Sequence, residues 1–372
     1  VYQSELKSNG YPSTDGFITI EHTTGLMDVF IINGSGNLKV AECEGDGNGG
    51  VFFIFGADNF FGHLYLNGTP VYPVNGGWIG HMTANGTVDL LIRGGGIDMI
   101  RSQNGIINVG GIGGNISVGS WNLKGNTFQG GYVAELGLNG TWNWAASAGG
   151  HYTTEVAFGV TENDDHVFVT GAYCMYSSSG ECEIDFGAFS ITSVGYDDIF
   201  VAALNKSTIQ WDWARSAGSS GYDDGKAIEL GDDGHLYLGG FYGGSISMGS
   251  TTLSHAGNID AFIASMDTNG TWRWALGGGG VGVENVEDIA VFNQTVVIAG
   301  SHCTMQSSCS STFGSSTVTS NGYSDVLVAS ATTSGSWIQA IGGGGSVSSY
   351  EADKAMAVTH SSDSHLIVAG FF

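Results

Sequence analysis

The chain restarts on one phrase at intervals of about 60 residues, and a period of that length constrains the architecture more than any single motif does. Tyr132-Val133-Ala134 is followed by Asn139-Gly140-Thr141-Trp142-Asn143-Trp144, and Phe262-Ile263-Ala264 by Asn269-Gly270-Thr271-Trp272-Arg273-Trp274. Phe200-Val201-Ala202 leads to Trp211-Asp212-Trp213, and Leu327-Val328-Ala329 to Ser334-Gly335-Ser336-Trp337. Fainter copies begin around Phe17 and Trp78. The repeats run over approximately 14–75, 76–129, 130–196, 197–259, 260–324, and 325–372 joined with 1–13. Repeated units of this length bury their apolar faces against one another, so one continuous array is expected over residues 1–372.

Within residues 197–259 the turn signals fall every 8–12 residues. Ile199–Leu204 and Ile209–Ala214 are short and rich in β-branched and aromatic residues; Lys226–Leu230, His235–Gly240 and Ser245–Leu253 follow. Trp211 and Trp213 alternate, which places both on one face of a regular strand. No stretch carries a capped helical period. The fold class expected is all-β: a β-propeller of about six four-stranded antiparallel blades, each repeat making one blade. Residues 1–6 read like the last strand of a blade and His365–Phe372 like a third strand. The N-terminal strand is therefore expected to complete the last blade beside Ile367-Val368-Ala369, or to pair with a second copy and make the chain a polymerising subunit.

The phrases Asp260-Ala261-Phe262-Ile263-Ala264, Asn269–Ala275, His235–Gly240 and Met248–Leu253 resemble the secreted bacterial and archaeal β-propeller repeat family, usually described as seven-bladed. The resemblance covers residues 130–372 well and 14–129 faintly; there Met27-Asp28-Val29 and Val88-Asp89-Leu90 stand where Trp-x-Trp is found later. It implies an extracellular propeller and carries no catalytic residues.

Charge narrows the partners. Thirty-five acidic residues oppose 10 basic ones, a formal net charge of −25. Phosphate backbones need clustered Lys and Arg, so nucleic acid is not an expected partner. Apolar runs such as Val51–Phe55 are too short to cross a bilayer, so no transmembrane segment is expected. Residue 1 is Val with no signal-like segment after it, as in a mature or trimmed chain.

Cys174 and Cys182 bracket one loop, and Cys303 and Cys309 another, each starting three residues after a strand-end glycine, Gly171 or Gly300. Two local disulfides are expected; a metal would need four converging ligands, and only His302 adjoins either pair. Cys43 is left over. Disulfides point to an extracellular or cell-surface location. Asn-x-Ser/Thr occurs at Asn33, Asn67, Asn85, Asn115, Asn139, Asn205, Asn269 and Asn293. These are candidate glycosylation sites, although Asn-Gly-Thr is also what a hairpin turn requires.

No catalytic constellation stands out. Gly45-x-Gly47-x-x-Gly50 precedes a strand rather than opening a helix, and no Gly-x-Ser-x-Gly or His-Glu-x-x-His occurs. His166, His235 and His365 each begin a strand at one repeat position, which reads as structural. Trp142, Trp144, Trp211, Trp213, Trp272, Trp274 and Trp337 are expected to pack between blades, with sugar stacking as the other reading. Asp197, Asp198, Asp223 and Asp224 are the candidate ligands of a hard cation such as calcium, with no Asp-x-Asp-x-Asp-Gly loop beside them; otherwise no cofactor is expected. The composite expectation is a non-enzymatic extracellular structural or adhesion protein with protein, glycan or self partners. The alternative is a propeller that binds or cleaves carbohydrate.

Overall fold

The computed structural model describes residues 6–7, 14–21, 27–33, 37–58, 64–66, 69–71, 76–85, 87–93, 96–112, 116–123, 130–150, 154–175, 182–304, 309–320, 322–345, 353–361 and 365–371. Their regular elements are all strands, with no helix among the described residues. Four-stranded antiparallel arrangements follow one another along the chain over 37–93, 98–150, 154–217, 223–280 and 283–343.

Two compact units divide the chain. The smaller comprises residues 1–110, 117–123 and 133–145; its core gathers Phe52, Ile54, Ile79, Met99, Ile106 and Leu136. It also holds a sheet of Leu6–Lys7, Thr14–Glu21, Met27–Asn33, Leu64–Leu66 and Thr69–Val71. The larger unit comprises residues 111–116, 124–132 and 146–372. Its apolar cores include one around Phe168, Leu238 and Phe262 and another around Tyr237, Ile298 and Leu327.

The 197–259 repeat is not one sheet. Asp198–Asn205 pairs with His166–Met175 over its whole length, from His166↔Asn205 to Tyr173↔Asp198, and with Gln210–Ala217 on its other side. Asp223–Leu230 and His235–Tyr242 belong to the next sheet, where His235–Tyr242 pairs with Asp260–Asp267. Each sheet thus takes its first two strands from one repeat and its last two from the next. The crossover falls at the Gly/Ser loop after the Trp-x-Trp strand; turn residues mark strand ends but not which loop leaves the sheet.

Short hairpins lie between the second and third strands. Glu183–Phe186 and Ser310–Phe313 each attach to the fourth strand of the preceding sheet, at Gly149-Gly150 and Gly279-Gly280. Of the segment expected to complete the last blade, Leu6 pairs with Asp15, while Val1–Glu5 lie outside the described residues. Leu366–Phe371 pairs with Lys354–His360 in a two-stranded sheet.

The residue at which each phrase restarts, its anchor, has a structural partner. Phe200 lies opposite Gly171, Phe262 opposite Gly240 and Leu327 opposite Gly300. The 37–93 sheet reverses the pair, with Phe53 on the second strand opposite Gly80 on the third. In each case the glycine leaves room for the large side chain across the ladder.

Disulfides join Cys174 to Cys182 and Cys303 to Cys309, with Cα–Cα separations of 5.9 and 5.6 Å. Cys174 and Cys303 both adopt left-handed backbone angles, φ 67° and 59°, at the same irregularity of the second strand in both repeats, beyond which Met175 still pairs with Thr154 and Thr304 with Val283. Cys43 is half-buried and outside both bonds. Closing such short loops restricts the unfolded chain by about 2–3 kcal/mol each. Non-reducing peptide mapping is expected to recover both bonds, and Cys303→Ser to lower stability by about that amount; five free thiols under non-reducing conditions would contradict the assignment.

Candidate functional site

The acidic residues singled out in the sequence meet at the junction between two successive sheets. Asp198 opens the third strand of the 154–217 sheet and Asp223 the first strand of the 223–280 sheet. A parallel bridge, Asp197↔Tyr222, joins them, and the Asp223 amide donates to the Asp197 carbonyl at 2.8 Å. Asp198 and Asp223 are fully buried, and Asp224 nearly so.

Their hydrogen bonds explain how carboxylates survive there. The Val194 amide donates to Asp198 Oδ2. Asp223 accepts from the Ser219 amide, from Ser219 Oγ at 2.9 Å and from the Gly243 amide at 3.0 Å. Asp198 Oδ1 and Asp224 Oδ1 are buried with no hydrogen-bond partner, and Lys226 Nζ stands 3.9 Å from the other Asp224 oxygen. Burial, reinforced by the charges of Asp223 and Asp197, pushes Asp198 up to about 7. Burial likewise pushes Asp224 up to about 7, against the pull of Lys226.

The same junction recurs twice. At the next one Ile259 bridges Val283, the Glu284 amide donates to the Ile259 carbonyl at 3.0 Å, and Asp260 opens the third strand. At the following one the Asp353 amide donates to the Ser324 carbonyl at 3.0 Å, and Asp325 opens the strand. All four of these acids are buried. The sequence singles out Asp197, Asp198, Asp223 and Asp224 but not Asp260/Glu284 or Asp325/Asp353. The legible signal was an Asp two residues before the anchor in three repeats: Asp198-Ile199-Phe200, Asp260-Ala261-Phe262 and Asp325-Val326-Leu327.

The tryptophans occupy a second kind of junction. A register shift between Ala203 and Leu204 sets Trp213 opposite Ala203 and Trp211 opposite Leu204. The same irregularity recurs at Ser265/Met266, before Trp274 and Trp272, and at Ser330/Ala331, before Trp337. This bulge breaks the alternation, so the two rings of a pair do different things. Trp211 Nε1 donates backward to the Ser147 carbonyl at 3.3 Å, and Trp213 Nε1 donates forward to the Thr268 carbonyl at 3.0 Å. Trp274 reaches forward to the Thr333 carbonyl at 3.1 Å, and Trp337 backward to the Gly277 carbonyl at 3.2 Å. The forward rings cover the turn glycines Gly270 and Gly335, at φ +84° and +85°. The backward set, Trp142, Trp211, Trp272 and Trp337, covers the hairpin glycines Gly119, Gly187, Gly249 and Gly314. Trp144 is buried in its own strand.

A third series links first strands of successive sheets. The Leu230 amide donates to Thr161 Oγ1 at 3.2 Å, the Val291 amide to Glu229 Oε2 at 2.7 Å, and the Val358 amide to Asp288 Oδ2 at 2.8 Å. Burial first, then the neighbouring Asp288 and Asp232, pushes Glu229 up to about 7; burial pushes Asp288 up to about 6. A carboxyl raised on folding stabilises the native state below its unfolded pKa, and that contribution is lost as pH rises through the folded value. The larger unit, held in chelator, is therefore expected to melt at a higher temperature at pH 5 than at pH 8. Glu229→Gln keeps an acceptor for Val291 and should recover on the order of 2 kcal/mol at pH 8; melting curves indifferent to pH over 5–8 would contradict this.

The remaining candidates lie as follows. His166 Nε2 meets Asp212 Oδ2 at 2.8 Å, and His235 Nδ1 meets Asp267 Oδ1 at 3.3 Å, each pinning strands of its own sheet; His365 immediately precedes the Leu366–Phe371 strand, its amide donating to Ser361 Oγ at 3.1 Å. Among the sequons, Asn85, Asn139 and Asn269 are exposed turn residues, and their side-chain oxygens accept from the amides of Thr87, Thr141 and Thr271. Asn205 Nδ2 is engaged by Asp212 at 3.0 Å, and Asn293 sits at φ 47°. Asn33 ends a strand, and Asn67 and Asn115 lie outside the described residues. A shallow polar recess of about 520 Å³ in the smaller unit is lined by Asn104, Glu135, Leu138, Asn139 and Asn143. Its carboxylate is held by Ser102 Oγ at 2.7 Å and Asn143 Nδ2 at 2.9 Å.

No protein-family model matches the sequence, and no curated protein matches it. Among solved structures the chain is similar to one titled "Structure of Dos1 propeller", at 9% identity and a TM-score of 0.39, over 95% of this chain and 86% of that one. No helix among the described residues is long and apolar enough to cross a membrane.

Proposed function

We propose that this chain is a non-enzymatic structural or adhesion protein of the cell exterior, a β-propeller of the secreted repeat type that its phrases resemble. The observation that carries this reading is where the chemically capable side chains are. The paired acids at three junctions are buried, beyond the reach of a substrate, and four indole N–H groups are committed to backbone carbonyls of neighbouring sheets. Two disulfides at equivalent loops suit an oxidising compartment. A chain with a formal net charge of −25 stays soluble in salt and repels nucleic acid. Its partners are proteins, glycans or further copies of itself, and glycans on the exposed turn residues Asn85, Asn139 and Asn269 fit the same setting.

A carbohydrate-binding reading rests on a different observation. Tyr196 and Tyr222 stack at 5.2 Å and 18°, each about half exposed, with exposed Val194 nearby in sequence. Exposed aromatic faces are what sugar stacking needs, and the buried Trp144 and Trp213 do not offer them. Purified protein with its disulfides intact should be tested for binding on a glycan array and for turnover on polysaccharides. The structural reading expects no turnover. Hydrolysis abolished by one Asp or Glu change would overturn it, while binding lost in Tyr196→Ala/Tyr222→Ala without turnover would favour a lectin-like module.

A further inference from the structure

The carboxylate pairs at the junctions are built more like ligands than like hydrogen-bonding residues. Asp260 is 1% exposed, and its Oδ2 accepts from the Ala256 amide at 2.6 Å, while its Oδ1 has no hydrogen-bond partner. Glu284 is fully buried and held on both oxygens: by the Gly280 amide at 3.0 Å, the Cys303 amide at 3.3 Å and Ser311 Oγ at 2.8 Å. Gly279 lies between the two acids. A Cβ added there would stand 2.7 Å from Glu284 Oε2 and closer still to Asp260 Oδ1. The two oxygens are therefore no more than about 5 Å apart, around a space that only a glycine leaves open. That span suits one ion with oxygen ligands at about 2.3–2.6 Å on either side. Neither acid has a Lys or Arg ion pair among the described residues. Amide and hydroxyl donors favour the ionised form of both acids, burial opposes it, and the charge of Asp260 opposes that of Glu284, so two anions at this distance repel.

The arrangement recurs in full at one flanking junction and in part at the other. Gly344 lies between Asp325 Oδ1 and Asp353 Oδ2, and the Gly345 amide holds Asp353 at 2.7 Å. Gly218 packs on the Asp198 carboxylate at the junction with Asp223, where Asp198 Oδ1 is also without a partner.

We propose that the Asp260–Glu284 pair binds a hard divalent cation, Ca²⁺ being the ion its oxygens suit, and that Asp198–Asp223 and Asp325–Asp353 are equivalent sites at the flanking junctions. The ion neutralises the pair and joins the third strand of one sheet to the first strand of the next. The Cys303–Cys309 disulfide supports the central site, because the Cys303 amide is one of the donors that hold Glu284.

The test uses the full chain with disulfides intact, stripped of metal by a chelator and titrated with Ca²⁺ in equilibrium dialysis, with melting followed in parallel. Saturable uptake of up to three equivalents is expected, with a melting temperature that rises with Ca²⁺. Asp260→Asn keeps the side-chain shape and should remove one equivalent while leaving the far-ultraviolet circular dichroism unchanged; Glu284→Gln serves if that variant does not fold. No uptake at millimolar Ca²⁺ would overturn the proposal and leave each pair sharing a proton. Uptake that is unchanged in a folded Asp260→Asn or Glu284→Gln variant would overturn it equally, by placing the ion elsewhere.

Discussion

Trp213→Ala is expected to destabilise the larger unit by about 3–5 kcal/mol, the range for emptying a buried tryptophan site. Three losses combine. The ring is 7% exposed and packs 6.2 Å from the Phe168 ring in the same apolar cluster. Its N–H leaves the Thr268 carbonyl unpaired across the junction between the 154–217 and 223–280 sheets. The turn glycine Gly270, whose left-handed conformation the ring covers, becomes exposed, and Arg215 loses the ring beneath its guanidinium, 5.7 Å away. Trp213→Phe keeps most of the apolar area and gives up the hydrogen bond, so it should cost roughly a third as much. Denaturant melts of both variants check the ordering; a Trp213→Ala effect below about 1 kcal/mol would mean that the indole does not join the two sheets.

Gly240→Ala is expected to cost about 3 kcal/mol or more, at the upper end for inserting one methyl into a packed site. The added carbon would fall well inside van der Waals contact with the Asp224 carbonyl and 2.7 Å from Phe262 Cε1. The first of these is backbone and cannot rotate aside. Gly240 faces the irregularity where Gly225 and Ala227 oppose Gly240 and Gly239, so the ladder has no slack at that point. Gly171, Gly300 and Gly370 meet the carbonyls of Val156, Asn285 and Lys354 in the same way. Gly234→Ala, at a turn where nothing lies within 4 Å, gives the comparison: its cost should reflect only the positive φ of 77°, about 1 kcal/mol. Equal losses at Gly240 and Gly234 would contradict the packing argument.

Much of this was legible in the residues. Strand content, the strand-end glycines and both disulfides follow from period, turn chemistry and cysteine placement, because each is local. Sheet membership was not legible. Asp198–Asn205 and Lys226–Leu230 share a sequence repeat but not a sheet, and hydrogen bonding to His166–Met175 decides that. The opposed roles of Trp211 and Trp213 were hidden for a related reason: alternation places both rings on one face, and a bulge is a property of the paired ladder. Of the junction acids, the Asp197-Asp198 and Asp223-Asp224 doublets drew notice as pairs. Asp260 and Glu284 are 24 positions apart and lone in sequence, so only the pairing of successive sheets brings them together.

The central claim is that each sheet is assembled across two repeats, and a cross-link at His166 and Asn205 tests it most directly. These residues are register partners on the second and third strands of one sheet, both partly accessible and far apart in sequence. An H166C/N205C variant oxidised in its native state is expected to yield a peptide bridging positions 166 and 205 in non-reducing mapping. Position 205 linked elsewhere, or left as a thiol in a folded protein while the two native disulfides form, would place Asp198–Asn205 in a sheet with its own repeat and contradict the assembly described.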